Sequence, residues 1–240
     1  MSRMTARSVV LSVLLGAHPA SATAAELLLL TSDFGIREST VRVALTRMVG
    51  AGDLVRSADG YRLSDRLLAR QRRQDDAINP RRQPWNGAWT TVVITSVGTE
   101  PRTRAALRNT LQDKRFAELR EGVWMRPDNV EVDLGDEIAE RVRLLRSHDD
   151  EPVELAALLW DLTGWADVGR QMLAAMAEAG DVPGRFVVAA AMVRHLLTDP
   201  VLPDELLPNG WPGAALRDAY EVFAAELVAR RDGVELAEVR

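Results

Sequence analysis

The run Phe34-Gly35-Ile36-Arg37-Glu38-Ser39-Thr40-Val41-Arg42-Val43-Ala44-Leu45-Thr46-Arg47-Met48 constrains this chain more than any other. Val41, Ala44, Leu45, Met48 and Val49 recur at helical spacing and predict one buried stripe. Arg42, Thr46 and Arg47 fall on the opposite face, with Arg37, Ser39 and Thr40 at the N-terminal end. Gly52 is placed to stop the helix, because glycine accepts a left-handed cap at little cost. Leu54-Val55-Arg56 and Tyr61-Arg62-Leu63 then alternate in the strand manner around Asp59-Gly60, a two-residue hairpin signal.

Arginines on an amphipathic helix are more often a solvated face than a binding surface. Context changes that reading here. Two apolar helices precede, one carrying Val9, Val10, Val13 and Leu14 and the next Ala24, Leu27 and Leu28. Three helices and a hairpin in that order predict a winged helix-turn-helix that reads double-stranded DNA. In that docking mode the N-terminal end of the last helix enters the major groove. The candidate DNA contacts are Arg37, Ser39, Thr40, Arg42, Thr46 and Arg47, with Arg56 and Arg62 reaching from the wing.

Charge agrees with this placement. Residues 1–83 hold thirteen arginines against eight acidic groups, a net of +5, whereas residues 145–240 carry −9. The chain of 240 residues has no cysteine and only three histidines, His18, His148 and His195, without metal-ligand spacing. A reducing, cytoplasmic setting fits that composition. No run is long or apolar enough to predict a membrane span, and the apolar N-terminus reads as helix rather than as a secretory signal.

After the wing, residues 64–83 predict a polar helix and linker, with Arg66, Arg70, Arg72, Arg73, Arg81 and Arg82 able to touch flanking phosphates or simply to solvate it. A second module opens at Trp85-Asn86-Gly87-Ala88-Trp89. It predicts a strand at Val92-Val93-Ile94, a helix from Pro101 to about Gln112, and strands at Gly122-Val123-Trp124-Met125 and Val142-Arg143-Leu144-Leu145. That order suggests a ferredoxin-like α+β unit. From Pro152 the pattern is helical: a stripe of Leu155, Leu158, Leu159 and Leu162, a helix through Met172, Leu173 and Met176, an apolar helix Phe186 to Leu197, and a last one from Ala214 to Arg231. The expected division is a DNA-binding domain at 1–78, a central ferredoxin-like domain at 84–148 and a C-terminal helical domain at 149–240.

Four runs taken together resemble the PaaX family, repressors of phenylacetic-acid catabolism and their relatives. They are Gly35 to Met48 joined to Gly52-Asp53-Leu54-Val55-Arg56 and Tyr61-Arg62-Leu63-Ser64; Trp85 to Trp89 with Phe116, Leu119 and Gly122-Val123-Trp124; Leu159-Trp160-Asp161-Leu162; and Leu196 to Pro203 with Glu205-Leu206-Leu207-Pro208 and Trp211-Pro212-Gly213. The resemblance implies a homodimer on a pseudo-palindromic operator, released by an acyl-CoA, phenylacetyl-CoA in the namesake members. It implies no resident cofactor. Trp124, Arg120 and Arg126 are candidates for effector contact. Two departures stand out: the segment between Arg126 and Arg141 is short for the pattern, and Ala189-Ala190-Ala191 replaces an expected His-Glu pair.

Enzyme readings find less support. Ferredoxin-like domains of this kind also serve metal-dependent nucleases, with an aspartate at the end of the first strand. Here that strand reads Thr90-Thr91-Val92-Val93-Ile94-Thr95-Ser96, without a carboxylate. No glycine-rich phosphate loop or nucleophile elbow is present.

Overall fold

The computed structural model describes residues 4–96 and 100–231. Two compact units emerge, neither of them continuous in sequence. The first contains 1–79, 171–197 and 214–240, the second 80–170 and 198–213. The C-terminal helical region, grouped by its sequence pattern at 149–240, therefore contributes to both.

The first unit starts with α1 (Ala6–Gly16), a short strand β1 (Ser21–Ala22), α2 (Ala24–Ser32) and α3 (Glu38–Gly50). A hairpin of β2 (Leu54–Ser57) and β3 (Gly60–Leu63) follows, and then α4 (Asp65–Ile78). Thr23 caps α2 with a reciprocal box: its hydroxyl accepts from the Glu26 amide, and the Glu26 carboxylate accepts from the Thr23 amide. Gly52 has φ +69°, the left-handed conformation expected of the residue that stops α3.

Gly60 has a different role from the one its sequence suggests. Ser57 pairs with Gly60, so the turn itself is Ala58-Asp59 and the glycine belongs to β3. β1 pairs with β3 on its other side, Ala22 opposite Tyr61. A Cβ on Gly60 would lie 2.4 Å from the Ala22 carbonyl oxygen, so the close passage of that backbone demands glycine. The sequence pattern shows only two of these three strands, because β1 is too short to carry an alternation.

Val9, Val10 and Leu14 of α1, Leu27 of α2, and Val41, Leu45 and Met48 of α3 are buried in one apolar cluster. Phe186 and Ala189 of α9 (Val182–Leu196) and Phe223 of α10 (Gly213–Arg231) join it. The ring of Phe186 meets Phe34 edge-on at 4.9 Å and Phe223 at 6.2 Å. Two ion pairs tie α10 to the region around α2, Arg230 to Asp33 at 2.6 Å and Arg231 to Glu26 at 3.8 Å.

The second unit is built on a four-stranded antiparallel sheet in the order β5-β6-β4-β7. Its elements are β4 (Trp89–Ile94), α5 (Pro101–Asp113), β5 (Ala117–Arg120), β6 (Val123–Pro127), α6 (Asp136–Ala139) and β7 (Val142–Ser147). α6 is a single turn, which is where the sequence is short. β5, unassigned from sequence, forms a hairpin with β6 through Gly122 at φ +79°. Val92, Leu107, Leu111, Phe116 and Trp124 pack one apolar cluster. Trp89 and Met125 pack another with Leu155 and Ala156 of α7 (Pro152–Leu159) and with Leu202 and Leu206.

The leucine stripe from Leu155 to Leu162 does not lie on one helix. α7 ends at Leu159 with Trp160 in an extended conformation, and α8 (Leu162–Glu178) begins anew. Asp161 drives the break, its carboxylate accepting the Gly164 amide at 2.9 Å. Leu158 is consequently 73% exposed.

Candidate nucleic-acid interface

α3 sorts its side chains cleanly. Val41, Leu45 and Met48 are at most 1% exposed, while Ser39, Thr40, Arg42, Val43, Thr46 and Arg47 all face out. Arg37 is the N-cap residue, outside the helix proper but exposed beside its first turn. Glu38 accepts from Arg42 one turn on, with a nitrogen–oxygen distance of 2.6 Å. Such a pair between exposed groups adds only about 0.3–0.5 kcal/mol. Its effect is orientation: it draws the Arg42 guanidinium toward the N-terminal end of the helix. The Thr46 hydroxyl donates to the Arg42 carbonyl at 3.1 Å. Arg47 has no ion pair among the described residues.

On the β2–β3 hairpin, Arg56 is exposed with its guanidinium 5.8 Å from the centre of the Tyr61 ring. Arg62 is also exposed, 3.8 Å from the Asp65 carboxylate and donating weakly to the Leu63 carbonyl. The structure thus brings all eight sequence-predicted DNA contacts onto α3, its N-cap and the adjoining hairpin.

Sequence reasoning missed the group that braces this surface. Asp53, 3% exposed, follows the capping glycine and accepts from Arg7 of α1 at 2.8 Å and from Arg66 of α4 at 2.6 Å. Arg7 and Arg66 are themselves more than half exposed, so both guanidinium groups stand at the surface with their direction fixed from behind. The partners lie 46 and 13 residues away in sequence, a spacing that carries no local signal. An Asp53→Asn variant keeps the shape but leaves an amide where two cations converge. We expect a loss of about 1–2 kcal/mol in urea denaturation and a drop in DNA affinity of a few fold.

The three effector candidates belong to the second unit. Trp124 is 1% exposed in the sheet core, with the Arg108 guanidinium 5.5 Å from its ring centre. Arg126 is 2% exposed and donates to the carbonyls of Lys114 and Pro127 and to Asn129 Oδ1. Burial first, then the nearby charge of Arg115, pushes its pKa down to about 10. It therefore stays charged at neutral pH, with its donors directed into the protein. Arg120 alone of the three is exposed. β4 presents threonines at its start, Thr90 donating to Asp128 and Thr91 bonded to Ser147, and no carboxylate. Among the described residues no three His, Cys, Asp or Glu side chains are grouped to hold a metal, and no helix is long and apolar enough to cross a membrane.

The sequence comparisons bear directly on this arrangement. The PaaX-like protein family model matches residues 5–67, which span α1 to the start of α4. The PaaX protein central Cas2-like domain matches 82–153, and the PaaX-like protein C-terminal domain matches 160–233. The chain belongs to the PaaX family. It is 28% identical over 218 residues to the transcriptional repressor PaaX of Escherichia coli K12, covering 78% of this chain and 68% of that protein. It is also similar to a solved structure of the uncharacterized protein Rv0674 from Mycobacterium tuberculosis. That likeness has 67% sequence identity and a TM-score of 0.87, over 97% of this chain and 99% of the other.

Proposed function

We propose that this PaaX-family protein is a dimeric transcriptional repressor that holds a pseudo-palindromic operator through α3 and is released from it by an acyl-CoA. The observation that carries the DNA reading is the division of α3: an apolar face sunk in the core, and opposite it exposed hydroxyls and arginines, the groups that meet base edges and phosphates. α1, α2 and α3 followed by the β2–β3 hairpin support a winged helix-turn-helix, with Arg56 and Arg62 on the wing. The order β5-β6-β4-β7, with α5 between the first two strands in sequence, supports a ferredoxin-like reading of the central sheet. The repressor character of the Escherichia coli relative points the same way.

For the homodimer, β7 offers the surface. It is an edge strand, and Leu144 and Leu145 are each 51% exposed on it, one toward each face of the sheet. Exposed edges with apolar side chains invite pairing, and a second copy satisfies both the backbone groups and the leucines. A Leu144→Glu, Leu145→Glu variant should sediment as a monomer at concentrations where the wild type is a dimer. Its operator affinity should fall about tenfold, since one half-site is then bound without the other.

Fluorescence anisotropy with operator DNA at two salt concentrations tests the reading. Neutralising about six phosphates lowers affinity by about a thousandfold between 50 and 200 mM salt. Affinity that ignores salt contradicts a phosphate-holding surface. Affinity that ignores a set of CoA thioesters removes the effector while leaving the DNA contact in place.

A further inference from the structure

Ser39, Arg42, Thr46 and Arg47 share the outer face of α3 with one wholly apolar side chain, Val43, which is 51% exposed. It stands in the second turn of the helix, one turn after Ser39 and one turn before Arg47, so the three form a single row. Nothing in the folding of α3 asks for valine there. A β-branched side chain lowers helix propensity, and an exposed one adds nothing to the core. A single exposed valine on an ordinary surface needs no explanation. This one is set among hydrogen-bonding groups and continues into a groove.

The groove runs beside α3 against the start of α1. Ala6, Val43, Ala44 and Met48 line it with apolar surface, and Arg7 from α1 and Arg47 from α3, both exposed, also border it. The buried Asp53 carboxylate holds Arg7 there at 2.8 Å, while Arg47 has no ion pair among the described residues. Apolar lining with a cation from each wall suits a strand of DNA, whose sugars and bases have apolar parts and whose phosphates are anionic. The groove also lies along the face of α3 that carries the other DNA contacts.

Base chemistry narrows what Val43 meets. In the major groove every base pair offers hydrogen-bond donors and acceptors, and thymine alone adds an apolar group, its 5-methyl. Arginine pairs best with guanine, and a hydroxyl can meet any base. Val43, without a polar atom in its side chain, gains only from the methyl. We propose that Val43 is a specificity-determining residue that selects thymine through this methyl group, with the strand that carries it lodged between Arg7 and Arg47. The proposal rests on the reading of α3 as a DNA-binding helix and adds a base identity to it. Arg7, meeting phosphate, supplies affinity without sequence preference.

Deoxyuridine, which differs from thymidine only by that methyl, tests the assignment. The purified full chain first enriches a binding duplex from a library of random sequence. Each thymine of the enriched half-site is then replaced in turn by deoxyuridine, and affinity is read by fluorescence anisotropy for the wild type and for Val43→Ala. At one position the replacement should weaken wild-type binding about fourfold per half-site, the effect of one methyl group not removed from water. Val43→Ala should bind the thymine duplex about as weakly as the wild type binds its uracil counterpart, and should no longer tell the two apart. Alanine at this exposed site favours the helix, so the variant keeps its fold. Arg7→Gln should weaken both duplexes alike and reduce the slope of log affinity against log salt by about one. Wild-type affinity indifferent to every replacement, or discrimination undiminished in Val43→Ala, would overturn the role of Val43. An unchanged salt slope in Arg7→Gln would overturn the placement of the strand. If the wild type enriches no duplex, the DNA reading itself fails and Val43 with it. Failure at the uracil step alone removes the methyl contact and leaves α3 as the reading helix.

Discussion

An Arg42→Ala, Arg47→Ala double variant is expected to bind operator DNA about a hundredfold more weakly than the wild type, with unchanged stability. A good arginine–base contact is worth about 1–3 kcal/mol, and losing two such contacts at a middling value costs about 3 kcal/mol, near two powers of ten. Stability is spared because both side chains lie on the exposed face of α3, and the Glu38–Arg42 pair between solvated groups contributes little to folding. The substitutions even raise helix propensity slightly, alanine being the best helix former. Anisotropy titration with circular dichroism melts on the same samples separates the two effects. Full affinity in the double variant would show that α3 is not the reading helix.

Arg126→Ala carries the largest expected cost to folding. Its guanidinium is the hub of a buried polar network in the second unit. It bonds to the Lys114 and Pro127 carbonyls and to Asn129, and lies 5.9 Å from the centre of the Phe116 ring. Asn129 in turn donates to the Val201 carbonyl at 2.9 Å, and Arg115 donates to that of Asp199. The Asp199 side chain, 1% exposed, accepts from the Val201 amide, holding Val201 at φ +53°. A β-branched residue in that conformation is strained and persists only under such restraint. Removing the hub strands several buried acceptors at once, so a loss of about 3 kcal/mol is expected. For a chain of this size that lowers the thermal midpoint by roughly 6–12 °C. DNA affinity of the folded fraction should hold, since none of these groups lies in the first unit. A melting point within a degree of the wild type would show that the network is not what secures the Asp199–Leu202 segment to the sheet.

These two predictions also show what the sequence revealed and what it hid. α3 was legible because its signals are local: a stripe at helical spacing, a stopping glycine, and a hairpin within fifteen residues. The placement of Arg37 to Arg47 on one face follows from that spacing alone. By contrast, Asp53 looks like an ordinary strand-leading residue until folding brings Arg7 and Arg66 to it. Gly60 resembled a turn glycine because the passing Ala22 backbone is 38 residues away in sequence. Leu158 matched a helical stripe that Asp161 cuts by capping a new helix. Arg126 was a candidate for effector contact. Its burial depends on Asn129 and on carbonyls of other segments, which no spacing rule anticipates.

The most direct test of the central claim is a selection of genomic DNA fragments by the purified full-length protein, followed by sequencing. The account predicts enrichment of an inverted repeat whose half-sites lie one helical turn, or a multiple of it, apart. That enrichment should be weakened by salt and absent in the Arg42→Ala, Arg47→Ala variant. If the wild type enriches no sequence, or the variant enriches the same repeat equally well, α3 does not read DNA and the account fails at its centre.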